Sequence, residues 1–286
     1  MTQQLYARPD TIEEAVSLLS HGTWRLLAGG TDFYPAQGSR PIRDDILDLN
    51  GIAALRGFER TDAGIRIGAR TTWSDIVRAD LPPAFDGLKL AAREVGSVQI
   101  QNTGTVAGNL CNASPAADGV PALLTLDASV ELCSAGGTRV LPLPDFILGN
   151  RRTALQPGEL VTAVLVPASA DEGRSTFLKL GARRYLVISI AMVAARIAIE
   201  GGRVAHAAVA VGACSEVARR LTTLEADLVG QAADASLARV VQDRHVAGLT
   251  PIGDVRADAS YRKEAAREIV ARALARLAGD AEDIAA

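Results

Sequence analysis

Cysteine and histidine are scarce in this 286-residue sequence. Cys111, Cys133 and Cys214 lie far apart, and no Cys-x-x-Cys occurs. That argues against a disulfide framework, and against a zinc site or iron–sulfur cluster held by this chain alone. His21, His206 and His245 are equally scattered. No apolar run approaches the roughly 18–20 residues that span a bilayer. Positive charge is not in excess: 30 Lys and Arg stand against 33 Asp and Glu, a net charge of -3. A nucleic-acid binder would show a basic face, which this composition does not suggest. Met1 to Arg8 lacks the basic-then-apolar pattern of an export signal. The expectation is a soluble protein of the reducing cytoplasm.

What is present is ordinary globular material, 48% hydrophobic and 22% charged. The length predicts two or three lobes. Thr11 to Leu19 reads as a helix with capping-box spacing at Thr11 and Glu14. Arg25 to Ala28 reads as a strand running into Gly29-Gly30, and Ile46 to Leu49 as the next, a small βαβ-like lobe. Gly64 to Gly68 alternates like a strand. Thr72 to Ala79 and Ala84 to Val95 read as helices. Strand patterns return at Ser129–Ser134, Arg139–Leu143 and Leu160–Val166, and Pro167 to Gly173 reads as a linker. Beyond it come strands at Ser175–Ala182, Ile188–Ile199 and Arg203–Val211, with Glu200-Gly201-Gly202 as a hairpin turn. A final helix starts near Ser260, and Asp280 to Ala286 reads as a frayed acidic tail.

Two glycine-bearing segments, each with a single charged residue, stand out. Leu26-Leu27-Ala28-Gly29-Gly30-Thr31-Asp32 follows a strand; glycine there allows a sharp turn and close approach of a ligand to backbone amides. A plain turn is the alternative reading. The segment matches neither the G-x-G-x-x-G fingerprint nor a P-loop. Asn102 to Asp118 combines glycines, hydroxyls and asparagines with small apolar residues. Such a run is either a self-bonded loop or the cover of a polar, flat ligand, because buried amides and hydroxyls need partners.

The run Gly96 to Asp118, with its Gly104-Thr105-Val106-Ala107-Gly108-Asn109 and Ala113-Ser114-Pro115-Ala116-Ala117-Asp118, resembles the signature of the FAD-binding medium subunit of molybdenum hydroxylases, the xanthine dehydrogenase and carbon monoxide dehydrogenase family. Three more segments, in the family's order, are similar to its motifs: Ala28-Gly29-Gly30-Thr31-Asp32; Phe177 to Arg184 followed by Ser189-Ile190-Ala191; and Asp254 to Arg262 before the last helix. Together they cover essentially the whole chain.

The resemblance implies an α+β protein of the p-cresol methylhydroxylase type. Two α/β lobes, residues 1–55 and 56–170, would clamp FAD, and 171–286 would form an antiparallel sheet with a helical bundle. By motif position, Leu26, Leu27, Ala28, Gly29, Gly30 and Thr31 would wrap the pyrophosphate, with Asp32 as a further cofactor-binding residue of the same segment. Thr105, Gly108 and Asn109 would hold the phosphate and ribityl side. Ser114 and Asp118 would fix the second loop and the cofactor's polar edge, with a helix N-cap as the alternative for Asp118. Leu160 and Val161 would pack on the adenine end. Lys179 would lie near the flavin, the alternative being a solvated strand-edge lysine; the sequence has only three lysines. Cys111 sits in the second loop and is read as a small buried hydrophobe rather than a redox thiol. Ile188 occupies a stretch close to the flavin ring in relatives, some of which carry an aromatic there. No catalytic residue and no metal ligand is expected in the chain.

The implied function is an oxidoreductase subunit that takes electrons from an iron–sulfur small subunit, which in turn serves a molybdenum–pterin large subunit. It would pass them to NAD+, oxygen, a quinone or another carrier. The implied assembly is a dimer of three-chain units. The rival reading is a stand-alone FAD-dependent oxidoreductase on the same fold.

Overall fold

The computed structural model describes residues 4–279. The acidic tail Asp280 to Ala286 lies outside them. Among the described residues three larger sheets follow one another along the chain, with a two-stranded ladder of Ile147–Gly149 and Arg152–Thr153 besides. In the first, strands Tyr6–Ala7 and Trp24–Leu27 both pair in parallel with Asp45–Asp48. The helix Ile12–His21 makes the crossover and buries Ala15 and Val16. Thr11 caps it as its spacing predicts, accepting from the Glu14 amide, but Glu14 reaches back to the amide of Asp10 rather than Thr11.

The second sheet is antiparallel and five-stranded. Its central strand, Leu160–Pro167, lies between Gly64–Gly68 and Ser129–Ser134. Short helices cover it. Trp73–Arg78 begins in a complete capping box of Thr72 and Asp75, which explains why so short a helix is well defined. The expected linker Pro167 to Gly173 is not an open tether: it contains a 3-10 turn, Ala168–Ala170, whose Ala170 is fully buried.

The third sheet is antiparallel, ordered Arg174–Leu180, Ala191–Glu200, Arg203–Gly212 and Arg219–Arg220. Gly201 and Gly202 both take positive φ (56° and 74°), as the hairpin between the two long strands requires. This sheet is buried on both faces. Met192 and Ala194 join the core of the second lobe, while Ala191, Val193, Ala195 and Ile197 pack toward the last helix, Ala259–Ala278. Strand alternation thus divides one nearly continuous apolar run between two cores.

Arg196 breaks that run without being exposed. Its guanidinium donates to Thr125 O, Glu172 O and Asp127, joining the sheet to the second lobe. Arg220 adds bonds to Asp127, Glu225 and Leu124 O. Among the described residues no helix is long and apolar enough to cross a membrane.

The last helix should carry much of the third core. Leu274, fully buried on it, predicts that Leu274→Ala lowers unfolding free energy by about 2–5 kcal/mol in chemical denaturation. A loss under about 1 kcal/mol would contradict this packing.

Candidate functional site

The two glycine segments, some seventy residues apart in sequence, touch backbone to backbone. The first leaves the strand Trp24–Leu27 and turns through Gly30 at φ +73°. A Cβ on Gly29 would lie 1.9 Å from Thr103 O and 3.0 Å from Gly104 Cα. No other residue type allows this contact.

The first segment is also held from below. Asn50 Nδ2 donates to Ala28 O at 2.9 Å and to Asp48 Oδ1 at 2.7 Å. Tyr6 OH donates to Asp48 Oδ2 at 2.6 Å. Arg70 donates to Asn50 Oδ1 at 3.0 Å and to Ile52 O at 2.8 Å.

As far as Asn112 the second segment is not a loop, and only residues 113–118 are turn. It is two short helices, Val98–Thr103 and Val106–Asn112, meeting at Gly104. The capping chemistry explains this. Ser97 accepts from the Ile100 amide, and Thr105 Oγ1 accepts from the Gly108 amide at 3.1 Å. Two of the hydroxyls that make the sequence look loop-like, those of Ser97 and Thr105, are helix N-caps, while Thr103 donates to Gln99 O. The second helix ends at Ala113 in the left-handed region (φ 47°).

Between the two segments lies a cleft of about 600 Å³, within the range of cofactor sites. Leu26, Ala28, Gly29, Gly30, Thr31 and Asp32 line one wall, and Thr105, Gly108, Asn109 and Cys111 the other. Leu160 and Val161 close one side. Leu27 points into the protein core instead, 7% exposed.

Ser114, Asp118 and Lys179 also lie outside the lining. Ser114 shapes its own turn by accepting from the Ala116 amide. Asp118 stands at the N-cap position of Gly119–Thr125 but makes no capping bond. Its carboxylate takes Lys179 Nζ at 2.8 Å and Ser189 Oγ at 2.9 Å. Both partners of the ion pair are less than a tenth exposed, so Lys179 is not a solvated strand-edge residue. Burial pushes the Asp118 pKa up, opposed by Lys179 and Ser189. Lys179 reaches the cleft wall indirectly, through Glu94 O at 3.3 Å, next to the lining residue Val95.

Sequence reasoning missed the cleft's arginines. Arg25, Arg70 and Arg151 all line it. Arg25 sits 4.1 Å over the Phe33 ring and donates to Phe33 O and Gln37. Arg151 donates to Asn112 through its side chain and to Ala113 O through its amide. Arginine is common throughout the chain, and nothing local distinguishes these three. Only the folded cleft brings them together.

The cleft holds unmet hydrogen-bonding demand. Asn109 Oδ1 and Arg70 Nε are buried without a protein partner. Among the described residues, the amides of Gly29, Gly30, Thr31 and Asp32 find no protein acceptor. The set combines free N–H donors, three guanidinium groups, an acceptor and an apolar end. An elongated ligand with a diphosphate in its middle would satisfy it.

Cys111 differs from its expected role. Its side chain is exposed to the cleft rather than packed in the core. The cleft walls still surround it closely, and desolvation pushes its thiol up to about 12. The thiolate is the reactive form. Iodoacetamide labelling of Cys111 in cofactor-free protein, followed by peptide mass spectrometry, should therefore rise about tenfold per pH unit from pH 7 to 10. A plateau near pH 9 would contradict the cleft environment.

Comparison with known proteins covers both halves of the chain. Residues 1–169 match the family described as FAD binding domain in molybdopterin dehydrogenase, and 176–277 match the CO dehydrogenase flavoprotein C-terminal domain. The chain is 30% identical to the glyceraldehyde dehydrogenase medium chain of Sulfolobus acidocaldarius, over 96% of this chain and 98% of that one. It is 29% identical to the carbon monoxide dehydrogenase medium chain of Hydrogenophaga pseudoflava, over 94% and 95%. Among solved structures, quinoline 2-oxidoreductase from Pseudomonas putida 86 superposes with a TM-score of 0.87, at 25% identity over 96% of this chain and 97% of that one. These relatives do not favour the stand-alone oxidoreductase reading. With its fold, its cleft and both halves of its sequence in agreement, the chain belongs to the family of FAD-binding medium subunits of molybdenum hydroxylases.

Proposed function

We propose that this subunit holds FAD across the two glycine segments and relays electrons from an iron–sulfur small subunit to an external acceptor. A molybdenum–pterin large subunit would oxidise the substrate. The acceptor would be NAD+, oxygen, a quinone or another carrier. The observation that carries the reading is the backbone contact of Gly29 with Thr103, beside amides and side-chain atoms that lack protein partners. FAD, when bound, supplies a centre that accepts electrons singly and releases them as a pair.

The residues divide the work of binding. Residues 26 to 32 would present backbone amides to the pyrophosphate, with Asp32 at the far edge. Thr105 has its oxygen engaged by Gly108 N, which leaves its O–H free to donate to a phosphate or ribityl oxygen. Asn109 Oδ1 would accept from the ribityl side. Arg25, Arg70 and Arg151 would set a positive potential that two phosphate charges require. Burial lowers the Arg70 pKa, yet an arginine starting so high stays charged at neutral pH.

Leu160 and Val161 would pack on the adenine. Cys111, held as a neutral thiol, would offer a soft wall rather than a nucleophile. The Asp118–Lys179 pair would stiffen the flavin end, acting through Glu94 and Val95, and Ser114 would shape the turn after the second helix. The three divisions 1–55, 56–170 and 171–286 would serve as first clamp, second clamp and backing domain.

The test is cofactor content. The purified chain should show flavin absorption and release FAD, near one equivalent per chain, on denaturation. Gly30→Glu should hold none while keeping its circular dichroism. It places a side chain where φ is +73° and drives its Cβ to 2.9 Å from the Tyr34 ring, which distorts the turn that presents the amides. Arg70→Ala should weaken FAD binding by about tenfold or more, since a charge-assisted bond is worth about 1.5–3 kcal/mol. Full FAD occupancy in Gly30→Glu, or release of FMN from the wild type, would overturn the assignment.

A further inference from the structure

The late motif Asp254 to Arg262 has no part in the cleft, yet it is built as a clasp. Asp254 Oδ1 accepts from the Arg256 amide at 2.8 Å and from Arg262 Nη2 at 2.7 Å, while Oδ2 accepts from Arg256 Nη1 at 2.7 Å. These bonds, led by the Arg256 amide, hold the Asp254 carboxyl down at about 2, so it is charged at any working pH.

Arg262, in the first turn of the last helix, is 3% exposed. Its Nη1 donates to Ile190 O at 2.7 Å and to Ala213 O at 3.3 Å. Those carbonyls stand just before the strand Ala191–Glu200 and just after Arg203–Gly212, which pair antiparallel, so one guanidinium grips the same end of both. Each gripped point leads directly to the second glycine-bearing segment. Beside Ile190, Ser189 Oγ donates to Asp118 Oδ1 at 2.9 Å. The Ala213 amide itself donates to Pro115 O at 3.0 Å. Ala213 takes a left-handed φ of 61° to do so, a strain that a non-glycine residue adopts only when its surroundings fix it.

A buried guanidinium is costly unless its geometry is used, and an apolar residue would pack the start of a helix more cheaply. We infer that Arg262, oriented by Asp254, is a positioning residue for the cofactor site: it fixes Ile190 and Ala213, and through them the Pro115–Asp118 end of the second segment. The inference rests on the reading that this segment holds FAD. Arg262 touches neither the cleft nor a ligand, so its influence is entirely through these backbone carbonyls.

The experiment separates positioning from general support of the helix. FAD dissociation constants, the visible circular dichroism of bound flavin and the melting temperature of the purified chain would be measured for wild type, Arg262→Gln, Arg262→Lys, Asp254→Asn and Leu274→Ala. Leu274 lies on the same helix, far along it from Arg262, and its truncation reports stability loss alone. Arg262→Gln and Asp254→Asn should each raise the FAD dissociation constant about tenfold or more and alter the flavin circular dichroism. Leu274→Ala should leave both unchanged within about twofold, despite an equal or larger fall in melting temperature. Arg262→Lys, which keeps the charge but not the fork, should fall between. If Arg262→Gln does not fold, Asp254→Asn, in a half-exposed loop, decides by itself. Should these variants weaken FAD no more than Leu274→Ala does, Arg262 is a structural residue only. A wild-type chain that takes no FAD would instead overturn the cofactor reading, and this inference with it.

Discussion

The Thr103 carbonyl and the Gly29 backbone occupy space that no side chain can share: an added Cβ would stand 1.9 Å from that oxygen. The rest of the site follows from this approach. It brings a parallel βαβ lobe and a lobe built on an antiparallel sheet close enough to share one cleft. It also sets the free amides of Gly29 to Asp32 opposite the helix that begins at Val106. Asn50 and Arg70 supply the complementary restraint, gripping Ala28 O and the backbone of Ile52 from beneath. The loop that must present bare N–H groups is therefore anchored at Ala28 before any ligand arrives, which lowers the ordering cost of binding.

A second constraint acts from the C-terminal side. The strand Ala191–Glu200 faces one core with its even-numbered side chains and another with its odd ones. The third sheet cannot shift without disturbing both. Arg196, the Asp118–Lys179 pair and the Arg262 clasp all join this sheet to the second lobe or to the last helix. Each uses a buried charge bonded to carbonyls or a carboxylate, although Arg262 Nε has no protein partner. A buried ion pair need not add stability over a hydrophobic replacement, but it fixes geometry, which is what a subunit that only places a cofactor has to do.

Much of the fold was legible in the sequence. The crossover helix, the paired glycines of the long hairpin and the apolar face of the last helix follow from period and turn chemistry, and strand limits shift by only a few residues. The second glycine-bearing segment was the clear misreading. Ser97 and Thr105 look like loop residues by composition, whereas their hydroxyls cap two short helices. Cys111 was placed in the core because cysteine usually packs there; its exposure depends on the helix Val106–Asn112 turning that face to the cleft. The arginines of the cleft were invisible for a different reason. Arg25, Arg70 and Arg151 come from separate elements, and no local pattern records that the fold collects them. The linker is legible from its Pro, Ser, Asp and Gly, but the packing of Ala170 against the core is not, because nothing local distinguishes that alanine from its neighbours.

The central claim is that the meeting of the two glycine segments is the FAD cradle. Amide hydrogen exchange with and without FAD tests it directly, because the amides of residues 29 to 32 have no protein acceptor to protect them. Added FAD should slow exchange most strongly in peptides covering 26–32 and 105–112, with a smaller effect at 113–118. Protection confined to other parts of the chain, with 26–32 exchanging as fast as before, would contradict the account.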